Sequence, residues 1–362
     1  TASASNSNYA DGLRPEEMTL VALKSGEAQF EANRNSGITT VVTVGREGIF
    51  NGQSAIINLA GESVSAMTVK SPFAHHITFT TLRGGTYPTS LMGTFSVLRQ
   101  MLLDAQRLQT MQRDYAANPR GMKRPDNDKS LEALFPVLNG SMPIVFNANR
   151  EIEIIRALDL AKEFNLKAII AGGQEAGKVA DRLKAQNAAV LLSLNFPKRT
   201  AAASAEADGE SMDLLRFRAE APKTAAKLAN AGVRFAFQTG GGNTNDFYAN
   251  ALKTVENGLP RDAAVRAMTL GAAEILGVEN RLGSIEEGKI ANLTVVRGDV
   301  LSKEKTVTHV FVDGKVFEQK ELPKRPAAAT GGTPSAGGQP VTATAAVGGN
   351  YNITIEIPGQ PL

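Results

Sequence analysis

Cysteine is absent from these 362 residues. That removes disulfides, thiolate nucleophiles and Cys-ligated zinc together. Histidine is nearly as scarce. Only His75, His76 and His309 occur, so a His-based metal centre or a Ser-His-Asp triad has three residues to draw on. Long apolar runs are missing too, and none approaches the ~20 residues of a membrane span. Neither sign of charge dominates: 39 Lys and Arg face 36 Asp and Glu for a net +3. The two signs are interspersed, so no basic face points to nucleic acid. A Cys-free chain suits an oxidising compartment. With an Ala, Gly, Thr and Pro-rich stretch near its end and Thr1 in place of Met, the expectation is a periplasmic or secreted protein whose upstream segment has been removed or is not included in this sequence.

What remains is the composition of a globular protein able to bury a large core, 42% hydrophobic and 21% charged. Residues 1–14 read as a flexible lead-in and 15–35 as a helix with Pro15 in its first turn. Gly37–Val44, Ser54–Leu59 and His76–Thr81 read as strands. From Ser90 to Ala116, apolar residues recur at three and four (Leu91, Phe95, Leu98, Leu102, Ala105, Leu108), which predicts one long amphipathic helix. Residues 117–129 read as an exposed loop.

Strand and helix then alternate. Strands are expected at Pro143–Asn147, Ala168–Ala171, Ala189–Leu194 and Arg234–Thr239, with helices at Glu151–Phe164, Glu175–Ala185 and Ala221–Ala231 between them. Such alternation means a parallel sheet flanked by helices, either a closed barrel or a doubly wound sheet. After helices at Asp246–Asn257 and Arg261–Leu276 the pattern turns antiparallel. Asp313-Gly314 forms a two-residue hairpin turn between Val307–Val312 and Val316-Phe317. Residues 323–349 read as a flexible linker, and 350–362 as a strand of an incomplete further β module.

The segment Ala264–Val278, the turn Gly283-Ser284-Ile285-Glu286-Glu287-Gly288-Lys289 and the hairpin Val310–Lys315 together resemble the C-terminal part of imidazolonepropionase-like amidohydrolases. The resemblance extends over roughly residues 15–318, with Asn292 where that family usually has Asp. It implies an α/β fold, a TIM-type (β/α) barrel over 15–290, here lacking its first strand, and a small C-terminal β-sandwich portion over 291–322. Gly37–Val44 would be the second barrel strand, and Pro143–Arg156 and Ile169–Ala185 the fifth and sixth units.

The family's chemistry uses one or two divalent metals such as zinc, held at the C-terminal ends of barrel strands by histidines, a carboxylated Lys or a Glu, and an Asp. Carried over by resemblance, the strand-five His becomes Asn147, the strand-six His becomes Gly172 and the strand-eight Asp becomes Gly240. None of these can hold a catalytic metal well. The expectation is therefore no catalytic residue, no metal ligand and no cofactor. A remnant pocket would be lined by Asn147, Asn149, Gln174 and Gly240, whose polar groups could hydrogen-bond a ligand.

Lys70 is the nearest candidate for the strand-four lysine. His75-His76 reads as loop and surface, His309 as structural, and the glycine-rich stretch 239–245 as a barrel loop without the Lys of a phosphate-binding loop. Three functions stay open: a non-catalytic protein of binding or assembly, one part of a cleaved or heteromeric hydrolase of peptide or cyclic amide bonds, and an extracytoplasmic peptide-binding module. The expected partners are further copies of the chain or a companion polypeptide supplying the missing strand, with no nucleic acid and no membrane span.

Overall fold

Short β-branched segments separated by amphipathic helices pair as parallel strands, because a crossover returns the chain in the same direction. The computed structural model describes residues 9–26, 28–82, 84–198, 210–242, 244–302 and 305–318. Its first strands are β1 (Thr40–Thr43), β2 (Phe50–Gln53), β3 (Ala55–Asn58), β4 (Thr68–Lys70) and β5 (His75–Thr78). Next come β6 (Ile144–Ala148), β7 (Ala168–Gly172), β8 (Ala189–Ser193) and β9 (Phe235–Gln238). Helices Glu151–Glu163, Ala180–Ala185 and Thr224–Ala231 lie between them. Last are β10 (Leu293–Arg297), β11 (Thr306–Val312) and β12 (Lys315–Glu318).

The main sheet runs in the order β2-β5-β6-β7-β8-β9, with β5 to β9 parallel and β2 antiparallel to β5. This is a TIM-like α/β arrangement, although among the described residues no ladder joins β9 back to β2. One expectation is corrected. Gly37–Val44 yields β1, which does not enter the main sheet. It pairs antiparallel with β3, Thr40 opposite Asn58, in a separate sheet of order β1-β3-β4. A Val/Thr-rich strand carries no local mark of which sheet it will join.

Alternation along β6 divides the core in two. Ile144, Phe146 and Ala148 pack with Leu98, Leu102, Ile154 and Leu158 of the flanking helices. On the other face Val145, with Ile169, Ala171, Leu191 and Ala236 of neighbouring strands, packs against Ile56 and Val69 of the small sheet and Ala273 and Ile275 of helix Leu270–Leu276. Both faces are dry, so these strands read as continuous apolar runs. The face that a barrel would turn inward is covered by a second sheet and a helix.

Polar ties hold that cover in place. Lys70 Nζ donates to the carbonyls of Leu276 (3.1 Å) and Gly277 (3.4 Å), capping the C-terminus of the helix. It sits on β4, outside the main sheet, so the strand-four role suggested for it is not its place. Asn292 Nδ2 donates to Thr40 Oγ1 (2.8 Å) and Asn58 Oδ1 (2.7 Å), while its Oδ1 accepts from Asp313 N (2.7 Å). An amide supplies donors and an acceptor at once; an Asp would supply no donor. Asn292→Ala is expected to lower stability by about 1–3 kcal/mol, read as a lower urea midpoint. An unshifted midpoint would show that the tie contributes nothing.

The turn Asp313-Gly314 has positive φ at both residues, 50° and 76°, as its hairpin requires. The helix expected over 15–35 is broken into Thr19–Ala22 and Ala28–Asn35, with Leu23 extended between them. Arg261–Leu276 likewise divides at Thr269 into Arg261–Met268 and Leu270–Leu276. Part of the lead-in is tied down. Leu13 is buried, and Gly12 O accepts from Ile49 N (2.9 Å) and Phe50 N (3.0 Å). Glu17 O accepts from Gln53 N (2.7 Å), so segment 10–18 lines the outer edge of β2. The expected linker 323–349 and strand 350–362 lie outside the described residues.

Candidate functional site

Parallel strands end together, so residues at their C-terminal ends collect at one edge of the sheet. Asn147 stands in register between Thr78 on β5 and Ala171 on β7. Its Nδ2 donates to Thr78 Oγ1 (2.9 Å) and Asn51 Oδ1 (3.4 Å), and Thr78 Oγ1 donates to Asn51 Oδ1 (2.7 Å). Asn51 Nδ2 in turn donates to the carbonyls of Glu47 (3.2 Å) and Gly48 (3.3 Å). The place expected for a ligand histidine thus holds a neutral network with its amide protons in use.

Gly172 ends β7 with φ +97°, and a Cβ there would lie 2.5 Å from Asn149 Oδ1. Gly240 follows β9 with φ +60°; a Cβ there would meet the Ser193 hydroxyl and lie 2.9 Å from Ser193 Cβ. Gln174 is buried, its Nε2 donating to Asn195 O (2.8 Å) and its backbone carbonyl accepting from Thr224 Oγ1 (2.6 Å). The four residues expected to line a remnant pocket are brought to one edge. Asn147 and Gln174, however, are engaged by the protein itself, and Asn149 lies over Gly172. A cavity at this edge, lined by Leu194, Asn195, Thr239 and Asn250 among others, measures about 10 Å³, room for one water.

The N-terminus of helix Glu151–Glu163 is closed by the chain's own carboxylates. Glu153 accepts from Asn149 N and Arg150 N, and Glu175 accepts from Glu151 N at 2.8 Å. Burial pushes the Glu175 carboxyl up. The hydrogen bonds from Lys178 and Glu151 N outweigh that and hold it below the usual carboxylate range.

The two adjacent histidines are not surface residues. They lie on β5 with 0% and 4% exposure, on opposite faces of the sheet as alternation requires. His75 Nε2 donates to Ala133 O (2.8 Å), and His75 Nδ1 has no partner. His76 Nε2 lies 2.8 Å from Ser54 Oγ, which donates to Ala74 O. Burial pushes His75 down to about 4 and, reinforced by His75 itself, His76 down to about 3. Both are neutral at physiological pH. His309 lies on β11, in the separate sheet of order β10-β11-β12.

Among the described residues no three His, Asp or Glu side chains converge as a metal site would need. The local structure gives the reason: Asn147 is committed to Thr78 and Asn51, and the two glycine positions are filled by neighbours. The residues present at these strand ends do not fit a divalent metal. Asn51, Thr78, Ser193 and Asn195 were not expected here. Asn51 carries no local mark of its role, since its partner Asn147 lies 96 residues away.

The amidohydrolase family model matches residues 24–317, and the chain belongs to the amidohydrolase family. It is similar to the solved amidohydrolase from Thermotoga maritima MSB8, at 25% identity over 85% of this chain and 79% of that one, TM-score 0.73. Two weaker likenesses have a TM-score of 0.40. One is to a Xaa-Pro dipeptidase with bound methionine, at 22% identity over 55% of this chain and 51% of that one. The other is to an adenosine deaminase from Xanthomonas campestris with bound zinc, at 19% identity over 70% and 62%. No curated protein matches.

Proposed function

We propose that this chain is a non-catalytic member of the amidohydrolase family that serves in binding or assembly. One observation carries the reading. At the strand ends where the resemblance puts metal ligands stand Asn147, Gly172 and Gly240, and their surroundings are a neutral, hydrogen-bonded network. Metal-assisted hydrolysis needs lone-pair donors converging on one point and an open position for water. Neither is available from these side chains. An extracytoplasmic location belongs to the same proposal and rests on the Cys-free composition.

Purified chain assayed on a panel of dipeptides and cyclic amides, with and without added zinc, is expected to show no chelator-sensitive hydrolysis. Native mass spectrometry of the same sample is expected to give whole multiples of the chain mass. Chelator-sensitive turnover defeats the reading. A co-purifying second polypeptide with bound metal would favour the other reading, one part of a heteromeric hydrolase. The observation on that side is the main sheet, whose edge strands β2 and β9 are not joined to each other among the described residues.

A further inference from the structure

We infer that the family's metal centre has been built over in this chain, with Ser193 filling the space beside Gly240 and the backbone closing in at Gly172, so that restoring ligand residues does not restore metal binding. This goes beyond the proposed role, since it holds whether the chain works in binding, in assembly or beside a catalytic partner.

Ser193 is buried at the end of β8, and the ladder that sets it opposite Gln238 fixes its Cβ. Its hydroxyl accepts from Asn195 N (3.2 Å), and the Asn195 side chain packs where a Cβ on Gly242 would go, 2.9 Å from Asn195 Cγ. The ends of β8 and β9 therefore approach each other through glycines, and a side chain on residue 240 has nowhere to stand. At Gly172 the fixed obstruction is backbone: a Cβ would lie 3.2 Å from the oxygen of Ala148, while its 2.5 Å contact with Asn149 Oδ1 is to the end of an exposed side chain that can turn away. Both glycines have left-handed φ, where an L side chain is strained even in open space.

Gly241 supplies the contrast. It has φ +75° but nothing within 4 Å of its Cβ position, so a side chain there meets only backbone strain. Deeper on the same face, Ala171, Leu191 and Ala236 pack against the covering sheet and helix, so the space below the strand ends is filled with side chains.

The test uses the full chain. Asn147→His, Gly172→His and Gly240→Asp, singly and combined, are dialysed against zinc, and retained metal is measured on protein shown to be folded by circular dichroism. Gly240→Ala, Gly241→Ala, Ser193→Gly and the doubles with Ser193→Gly are melted alongside. The expected results are no stoichiometric zinc in any variant and a larger fall in melting temperature for Gly240→Ala than for Gly241→Ala. Ser193→Gly should recover much of the first loss and none of the second, because close neighbours couple. A combined variant that holds one zinc per chain with a parental melting temperature overturns the inference. So do strictly additive effects of Gly240→Ala and Ser193→Gly. The alanine variants decide the matter if the combined variant does not fold. A failure of the proposed function would appear instead as turnover by the unaltered chain.

Discussion

Gly48→Val is expected to release segment 10–18 from the sheet. Gly48 has φ +80°, and a Cβ there would overlap Gly12 Cα and lie 2.8 Å from Gly12 O. Both obstructing atoms are backbone, so no rotamer change relieves the clash. Gly12 O is also the acceptor for the amides of Ile49 and Phe50, and Glu17 O for that of Gln53. Left-handed strain of about 1–2 kcal/mol and three hydrogen bonds at about 1 kcal/mol each give a loss of roughly 4 kcal/mol. Urea unfolding measures the total. Hydrogen exchange locates it, since the amides of Ile49, Phe50 and Gln53 should lose protection while those of β7 and β8 do not. If the three amides stay protected, the segment does not depend on the Gly12–Gly48 contact.

Acid is expected to unfold the protein through its two buried histidines. Unfolded, each takes a proton near pH 6.5; folded, His75 resists until about 4 and His76 until about 3. Between these limits the unfolded state binds more protons, so stability rises with pH. The contribution is fully present above about pH 6.5 and is lost as pH falls toward the folded values. Each residue can withdraw on the order of 3 kcal/mol. Denaturation curves at pH 7.5, 6 and 5 should therefore show falling stability, with a shallower fall in His76→Gln than in the parent. Equal slopes in the two proteins would mean that His76 ionises alike in both states. Buffer exchange below pH 5 is accordingly expected to be harsh on this protein, whatever its carboxylates do.

Much of the fold was legible because its signals are local. The apolar spacing from Leu91 to Leu108 gives helix Leu91–Ala117, and Asp313-Gly314 gives its turn. Four of the five parallel strands stand out as apolar runs buried on both faces. What escaped was set by distant partners. His75 and His76 look like exposed polar residues until Ala133 and Ser54, 58 and 22 residues away, are brought against them. Strand β2 is four residues long and contains a glycine, which weakens any strand signal. At the candidate site, the resemblance placed Asn147, Gly172 and Gly240 on neighbouring strand ends. It could not say that Ser193 and the Ala148 carbonyl crowd the two glycines, because glycine in a sequence shows only a missing side chain, not what has moved into its space.

The polar ties of the small sheet also impose an order of events on the ribosome. Residues 40–70 are made early, yet their partners are Leu276, Gly277, Arg281 and Asn292, which emerge more than 200 residues later. At the ~5–20 residues per second of synthesis, the small sheet waits on the order of ten seconds or more for the helix it is tied to. A nascent chain stopped short of residue 270 carries Val145, Ile169, Leu191 and Ala236 without the cover of Ala273 and Ile275. A late segment is thus the one that completes the packing of the early ones.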